Sequence, residues 1–232
     1  MSSRRLSGTA VVLAAVVGAI LGRGLGTAVA AAETPPAESV TAIVERVQAR
    51  FDSSADLRAD VTQQVLVAAL ERVVSASGTV VFKRPGKMRW NLTGDEPQII
   101  VADGTTIWFY QPADEQVLRA PLASVFRSST PVSFLTGVGK IADDFDVEVE
   151  SRDAEAITLA LDPKKRDGDL GRLQLVVSAT SGEIVEARVT DPVGNVTTLK
   201  FSNLARNTGV DDAEFEFEVP PGVDVVDAPI GY

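Results

Sequence analysis

The chain has 232 residues, 45% of them hydrophobic and 23% charged, with a formal charge of -10 and neither cysteine nor histidine. Without Cys or His there is no thiolate or imidazole metal site, no Ser-His-Asp triad, no cysteine nucleophile and no disulfide framework. The first 32 residues hold Arg4, Arg5 and Arg23 and no acid, so the remainder is more acidic still. Nucleic acid and anionic lipid surfaces, which are bound through clustered Lys and Arg, are therefore not expected partners.

Residues 1–30 read as a cleavable export signal. Arg4 and Arg5 precede an apolar run from Ala10 to Leu21, and Ala28-Val29-Ala30 offers small residues for cleavage before Ala31. The run is shorter than the about 20 residues of a bilayer span, and Arg23 interrupts its extension; an uncleaved anchor is the competing reading. Ser3-Arg4-Arg5-Leu6 half-matches a twin-arginine signal, but Ser7 stands where such signals carry an apolar residue, which leaves the export route open. No lipidation Cys follows the run. Residues 31–232 are expected to form one domain in the periplasm, large enough for a core that needs no disulfide.

Thr34-Pro35-Pro36 reads as a helix start, followed by Val40, Ile43, Val44, Val47 and Phe51 on one face and Glu45, Arg46, Gln48 and Arg50 on the other. From Leu57 the period becomes two: Leu57, Ala59, Val61, Gln63 and Val65, then Gly78, Val80, Phe82 and Arg84. Val65 to Val74 between them reads equally as strand or helical turn. Strands are predicted over Asp146–Glu150, Ala156–Leu161, Leu173–Ala179, Ile184–Thr190, Val196–Leu204 and Glu214–Val219, separated by turn signals such as Pro85-Gly86, Asp103-Gly104 and Val193-Gly194-Asn195. Pro121 to Asp144 breaks the alternation, and Pro131 to Ile141 is predicted as a short helix. Two helical pieces and a long antiparallel sheet predict a mainly β, α+β fold: a curled sheet whose apolar face is covered by helices.

Three segments carry a family resemblance: Gly78-Thr-Val-Val-Phe-Lys-Arg84-Pro85-Gly-Lys-Met88-Arg-Trp90, Val101-Ala-Asp103-Gly104-Thr-Thr-Ile-Trp108-Phe109-Tyr110-Gln-Pro112, and Asn207-Thr-Gly-Val-Asp211-Asp-Ala-Glu-Phe215-Glu-Phe217-Glu-Val-Pro220-Pro221-Gly222-Val223. With Leu57 to Gln63 and Thr130-Pro131, they resemble the LolA family of periplasmic outer-membrane lipoprotein carriers, in order from about residue 38 to 227. The resemblance implies an unclosed antiparallel β-barrel with a lid of short helices over an apolar cavity for acyl chains. It also implies a monomeric chaperone without a cofactor, which takes acylated lipoproteins from an inner-membrane ABC transporter and delivers them to an outer-membrane acceptor. The family's gating arginine falls on Arg84. Cavity positions fall on Phe51, Met88, Trp90, Val132 and Leu135, and strand parity adds Leu57, Val61, Val80, Phe82 and Leu92.

The residues themselves leave Arg84 with two readings. Sharing parity with Val80 and Phe82, it points inward if they do, where its donors need acceptors such as the terminal carbonyls of a helix. Alternatively, next to a Pro-Gly turn, it sits at a sheet rim in water. Met88, Trp90 and Leu92 likewise read as ordinary core or as cavity wall. Asp143-Asp144, Glu148-Glu150 and Asp211-Asp212 are paired carboxylates in turns or on polar strand faces, where solvation is the plainer role. No catalytic constellation and no phosphate loop is visible, so no enzyme activity is expected. A periplasmic lipid-sensing domain of the same fold, which keeps its lipid, is the alternative to a carrier.

Overall fold

The computed structural model describes residues 38–125, 140–164 and 172–228, all within the compact unit Glu38–Tyr232. The expected signal segment, the expected helix start at Thr34-Pro35-Pro36, and Val132 and Leu135 lie outside these residues. Helix α1, Val40–Asp52, starts instead at Ser39, whose hydroxyl accepts from the Ala42 N–H at 3.2 Å. Its Ile43, Val44 and Val47 are buried, and Val40 and Phe51 pack partly buried against the same core. Of the helix expected over Pro131 to Ile141, the described residues are Lys140, which is extended, and Ile141, which opens a helical turn that runs to Asp144.

Among the described residues, twelve strands form one sheet: β1 Asp56–Val67, β2 Arg72–Lys83, β3 Lys87–Gly94, β4 Gln98–Asp103, β5 Thr106–Gln111, β6 Gln116–Pro121, β7 Phe145–Arg152, β8 Ala156–Pro163, β9 Arg172–Ser178, β10 Ile184–Thr190, β11 Val196–Arg206 and β12 Asp224–Asp227. Their order is β12-β6-β5-β4-β3-β2-β1-β11-β10-β9-β8-β7, so the sheet is open, with β12 and β7 at its two ends. Sequential neighbours are antiparallel; β12 alone pairs in parallel, with β6. The ambiguous stretch Val65 to Val74 is mostly strand, with the helical geometry confined to the short turn Ala68–Leu70.

Pairing register assigns the faces. Ala59, Val80, Trp90, Ile100 and Phe109 are successive cross-strand partners on the inner face, toward α1, and Val81, Arg89, Val101 and Trp108 are partners on the outer face. The main core joins α1 to the inner-face residues of β1–β3 and β8–β10. Across the inner face, Arg46 Nη1 donates to the Ser178 carbonyl at 3.2 Å and Gln48 accepts from the Ile141 N–H at 3.2 Å, so polar ties flank the apolar stripe.

Gly78 permits the closest approach between strands. A Cβ there would stand 1.8 Å from the Asn91 carbonyl oxygen on β3, a backbone atom that cannot swing aside. Gly78→Ala is therefore expected to destabilise the fold by about 2 kcal/mol. The urea midpoint measures this, and an unchanged midpoint would show that β2 and β3 separate freely.

The predicted strand Glu214–Val219 is a correction. Asp212–Phe215 is a short 3-10 turn capped by the Asp211 carboxylate, and the chain after it is extended but unpaired. Its alternation reflects a strap crossing the outer face. Phe215 is buried with Val81 and Val210, and Phe217 stacks on Trp108 with ring centroids 6.0 Å apart and touches Tyr110. Arg89 Nη1 donates to the Glu214 and Glu216 carbonyls at 3.1 and 3.3 Å, supplying donors that a partner strand would have offered. Lys83 and Lys87 bind the Asp212 carboxylate at 2.6 and 2.9 Å, and their hydrogen bonds hold its carboxyl below the ordinary range.

Candidate functional site

The site forms where the last turn of α1 meets the inner face of β1, β2 and β11. A narrow apolar cleft, open to solvent and with enclosed room for little more than a water molecule, lies between them. Its floor and walls are Val47 and Phe51 of α1, Leu57 of β1, Phe82 of β2, Ile184 of β10 and Phe201 and Leu204 of β11, with Arg50 and Arg206 at its edge. A second shallow hollow shares Phe51, Leu57, Phe82 and Arg206 and reaches to Arg84. Apolar side chains converge here because α1 ends above strands whose inner residues are large and whose register places Leu57 opposite both Phe82 and Arg206.

Arg84 follows β2 on the inner parity. Its Nη2 donates to the Phe51 carbonyl at 3.2 Å and to Asp52 Oδ1 at 3.0 Å, and its guanidinium carbon lies 4.7 Å from the centre of the Phe51 ring. The Arg84 backbone N–H donates to the Ala55 carbonyl at 2.9 Å, which holds the strand end against the helix end. One guanidinium thus meets a terminal carbonyl of α1, an acidic side chain of its last turn and an aromatic face, and it favours the negative end of the helix. The side chain remains 33% exposed, so the Asp52 ion pair contributes little by itself.

The other expected cavity positions divide. Phe51, Leu57 and Phe82 line the cleft. Val61, Val80, Met88, Trp90 and Leu92 are buried in the core, with Trp90 edge-on to Phe82 at 5.9 Å and to Phe201 at 6.4 Å. Trp90 therefore packs behind the cleft wall that Phe82 and Phe201 help to form.

Sequence reasoning missed Val47, Ile184, Phe201, Leu204 and Arg206 as cleft residues. Val47 lies on the expected helix and Ile184, Phe201 and Leu204 on expected strands, but Arg206 lies beyond the expected end at Leu204, and the pairing of β1 with β11 was not legible. The register shifts between Arg58 and Asp60, with Asn203 at φ 51 and its amide donating to Asp60 Oδ2 at 2.7 Å. This bulge adds one residue to β11, so Arg206 faces inward like Phe201 although an odd number of positions separates them.

Among the described residues no group of three or more acidic side chains could hold a metal ion, and no helix is long and apolar enough to cross a membrane. An open sheet with one helix clasped by arginine over its inner face and a narrow apolar cleft between them is the arrangement that the described residues form.

The comparisons give that arrangement a family. The model of the outer membrane lipoprotein carrier protein LolA matches residues 52–218. The chain is 33% identical over 198 residues to an outer-membrane lipoprotein carrier protein of Chromobacterium violaceum, covering 85% of this chain and 93% of that one. A carrier protein of the same description from Methylobacillus flagellatus is 32% identical, over 79% of this chain and 88% of its own length. Among solved structures, an uncharacterized conserved protein from Thermus thermophilus shares the fold at a TM-score of 0.53 and 16% identity, covering 82% of this chain and 100% of that one. The chain belongs to the LolA family.

Proposed function

We propose that this protein is a periplasmic carrier of lipoproteins: it shelters their acyl chains from water after release from the inner membrane and surrenders them at the outer membrane. The observation that carries the reading is the apolar cleft under α1, with Arg84 bonded to the helix end that roofs it. Its cargo would come from an ABC transporter of the inner membrane, and an outer-membrane acceptor would receive it. A sensing domain of the same fold is less favoured, because the relatives matched over most of their length are described as carriers.

Energetics explain why a carrier needs a clasp. Burying acyl chain yields about 0.8 kcal/mol per CH₂, so several long chains fully buried would exceed the about 20 kcal/mol ceiling of non-covalent binding and would never leave. Breaking the Arg84 contacts to admit cargo raises the energy of the loaded state relative to the empty one, which leaves affinity low enough for release. The absence of histidine means that no imidazole switches this balance near neutral pH.

The reading is tested by mass spectrometry of what co-purifies with the protein from the periplasm, together with titration of a triacylated peptide. Acylated lipoproteins in the purified fraction and saturable binding of the peptide, but not of its deacylated form, are expected. Equal affinity for both forms would overturn it.

A further inference from the structure

A second charged group grips the same helix end from the opposite side. Arg206 Nη1 donates to Ser54 Oγ at 2.7 Å, and Ser54 Oγ donates in turn to the Arg50 carbonyl in the last turn of α1 at 3.2 Å. Arg206 Nε and Nη2 both lie 2.8 Å from Glu183 Oε1, in the turn between β9 and β10. Arg50 Nη2 stands 3.9 Å from that oxygen. The Arg206 and Glu183 side chains are 12% and 20% exposed, against 33% for Arg84, so this pair is the drier of the two. A guanidinium desolvated to this degree is held by its partners, and lifting the helix end would strip it of one of them.

We infer that Arg206, with Glu183, is a positioning residue of the carrier: a second clasp that limits how far the end of α1 lifts from the sheet and so how widely the cleft opens. The inference rests on the carrier reading for its purpose, though not for its geometry. Arg84 acts on Phe51 and Asp52 from the end of β2, while Arg206 acts on Ser54 from β11, and both border the smaller hollow beside the cleft. Opening must break both. The two are linked through the helix end, because the Ser54 N–H donates at 3.1 Å to the Phe51 carbonyl that Arg84 also binds, so their effects on the opening equilibrium should couple.

The chain contains no cysteine, so spin labels can be placed at exposed Glu45 on α1 and exposed Thr62 on β1 after substitution of each by Cys. Label-to-label distance and binding of anilinonaphthalenesulfonate are then measured without cargo in Arg84→Gln, Arg206→Gln and the double variant. Each single change should raise the open population and the dye affinity about tenfold, and the double change by more than either alone. Glu183→Gln should reproduce the Arg206→Gln result while keeping the arginine in place, and it decides the matter if Arg206→Gln does not fold. A lowered urea midpoint with distance and dye affinity unchanged would reduce Arg206 to a structural tie and overturn the inference. Failure of the triacylated peptide to bind the natural protein would instead overturn the carrier reading and leave the clasp result standing.

Discussion

Arg84→Leu is expected to leave loading of lipoprotein within about twofold of the natural protein while slowing its transfer to an acceptor by about tenfold. Leucine keeps an apolar surface against Phe51 but cannot bond the Phe51 carbonyl or Asp52, so the empty, clasped state loses stabilisation and the loaded state does not. Hydrogen bonds from a charged donor contribute about 1.5–3 kcal/mol each. One-third exposure and screening of the Asp52 pair reduce the sum toward the lower value, which still corresponds to about tenfold. Transfer from preloaded carrier to outer-membrane vesicles in a purified system measures the effect. Transfer at the natural rate would mean that the contacts of Arg84 do not oppose loading. Arg84→Lys should fall between the two, because an ammonium keeps the charge but lacks the planar fork.

Asp56→Ala should destabilise the protein by about 3 kcal/mol, chiefly by freeing the strap on the outer face. Asp56 is 5% exposed, at the start of β1, and its carboxylate accepts from the Thr208 N–H and hydroxyl and from the Gly209 and Val210 N–H groups at 2.7–3.4 Å. Alanine would leave those donors unpaired where the chain turns from β11 onto the outer face. Burial pushes the Asp56 pKa up, but the hydrogen bonds from Thr208, Gly209 and Val210 together push it further down, so it lies below the ordinary 3.8. A carboxyl depressed in the folded state contributes its full stability above the unfolded pKa and loses it as the pH falls through the folded value. The gap in stability between natural and variant protein should therefore be widest near about pH 7 and narrow below about pH 3.8. Urea unfolding followed by tryptophan fluorescence reports it, since Trp90 lies in the core and Phe217 of the strap stacks on Trp108. A gap independent of pH would show that the Asp56 charge plays no part.

The period-two alternation marked the later strands well because each has one face turned to the core and one turned away: along β9, buried residues alternate with more exposed ones from end to end. The same signal misled at Glu214–Val219. Phe215 and Phe217 are covered in alternation by the outer face of the sheet, while side chains such as Arg89 satisfy the backbone. Alternation reports one-sided burial, and burial without pairing leaves the same imprint. For α1 the apolar spacing identified the packed face, but its start shifted to Ser39, whose hydroxyl supplies the cap.

Within the site, Phe51, Leu57, Phe82 and Arg84 were visible from spacing and family resemblance, since they sit on elements whose faces are set locally. Arg206 was not. Strict alternation carried through β11 from Phe201 turns it outward, and only the bulge at Asn203, formed against β1 about 140 residues earlier in the chain, turns it in. Nor could spacing separate wall from core among Val61, Val80, Met88, Trp90 and Leu92, because a side chain facing a hollow and one facing a neighbour obey the same periodicity.

By itself the amino-acid sequence determined most of the element types, the apolar face of the regular ones and the family, because these follow from residue spacing and from motifs read along the chain. The tertiary structure alone decided which strands adjoin, where the last turn of α1 comes to rest and which arginines grip it. Those depend on contacts between residues far apart in the chain, which leave no periodic trace in it.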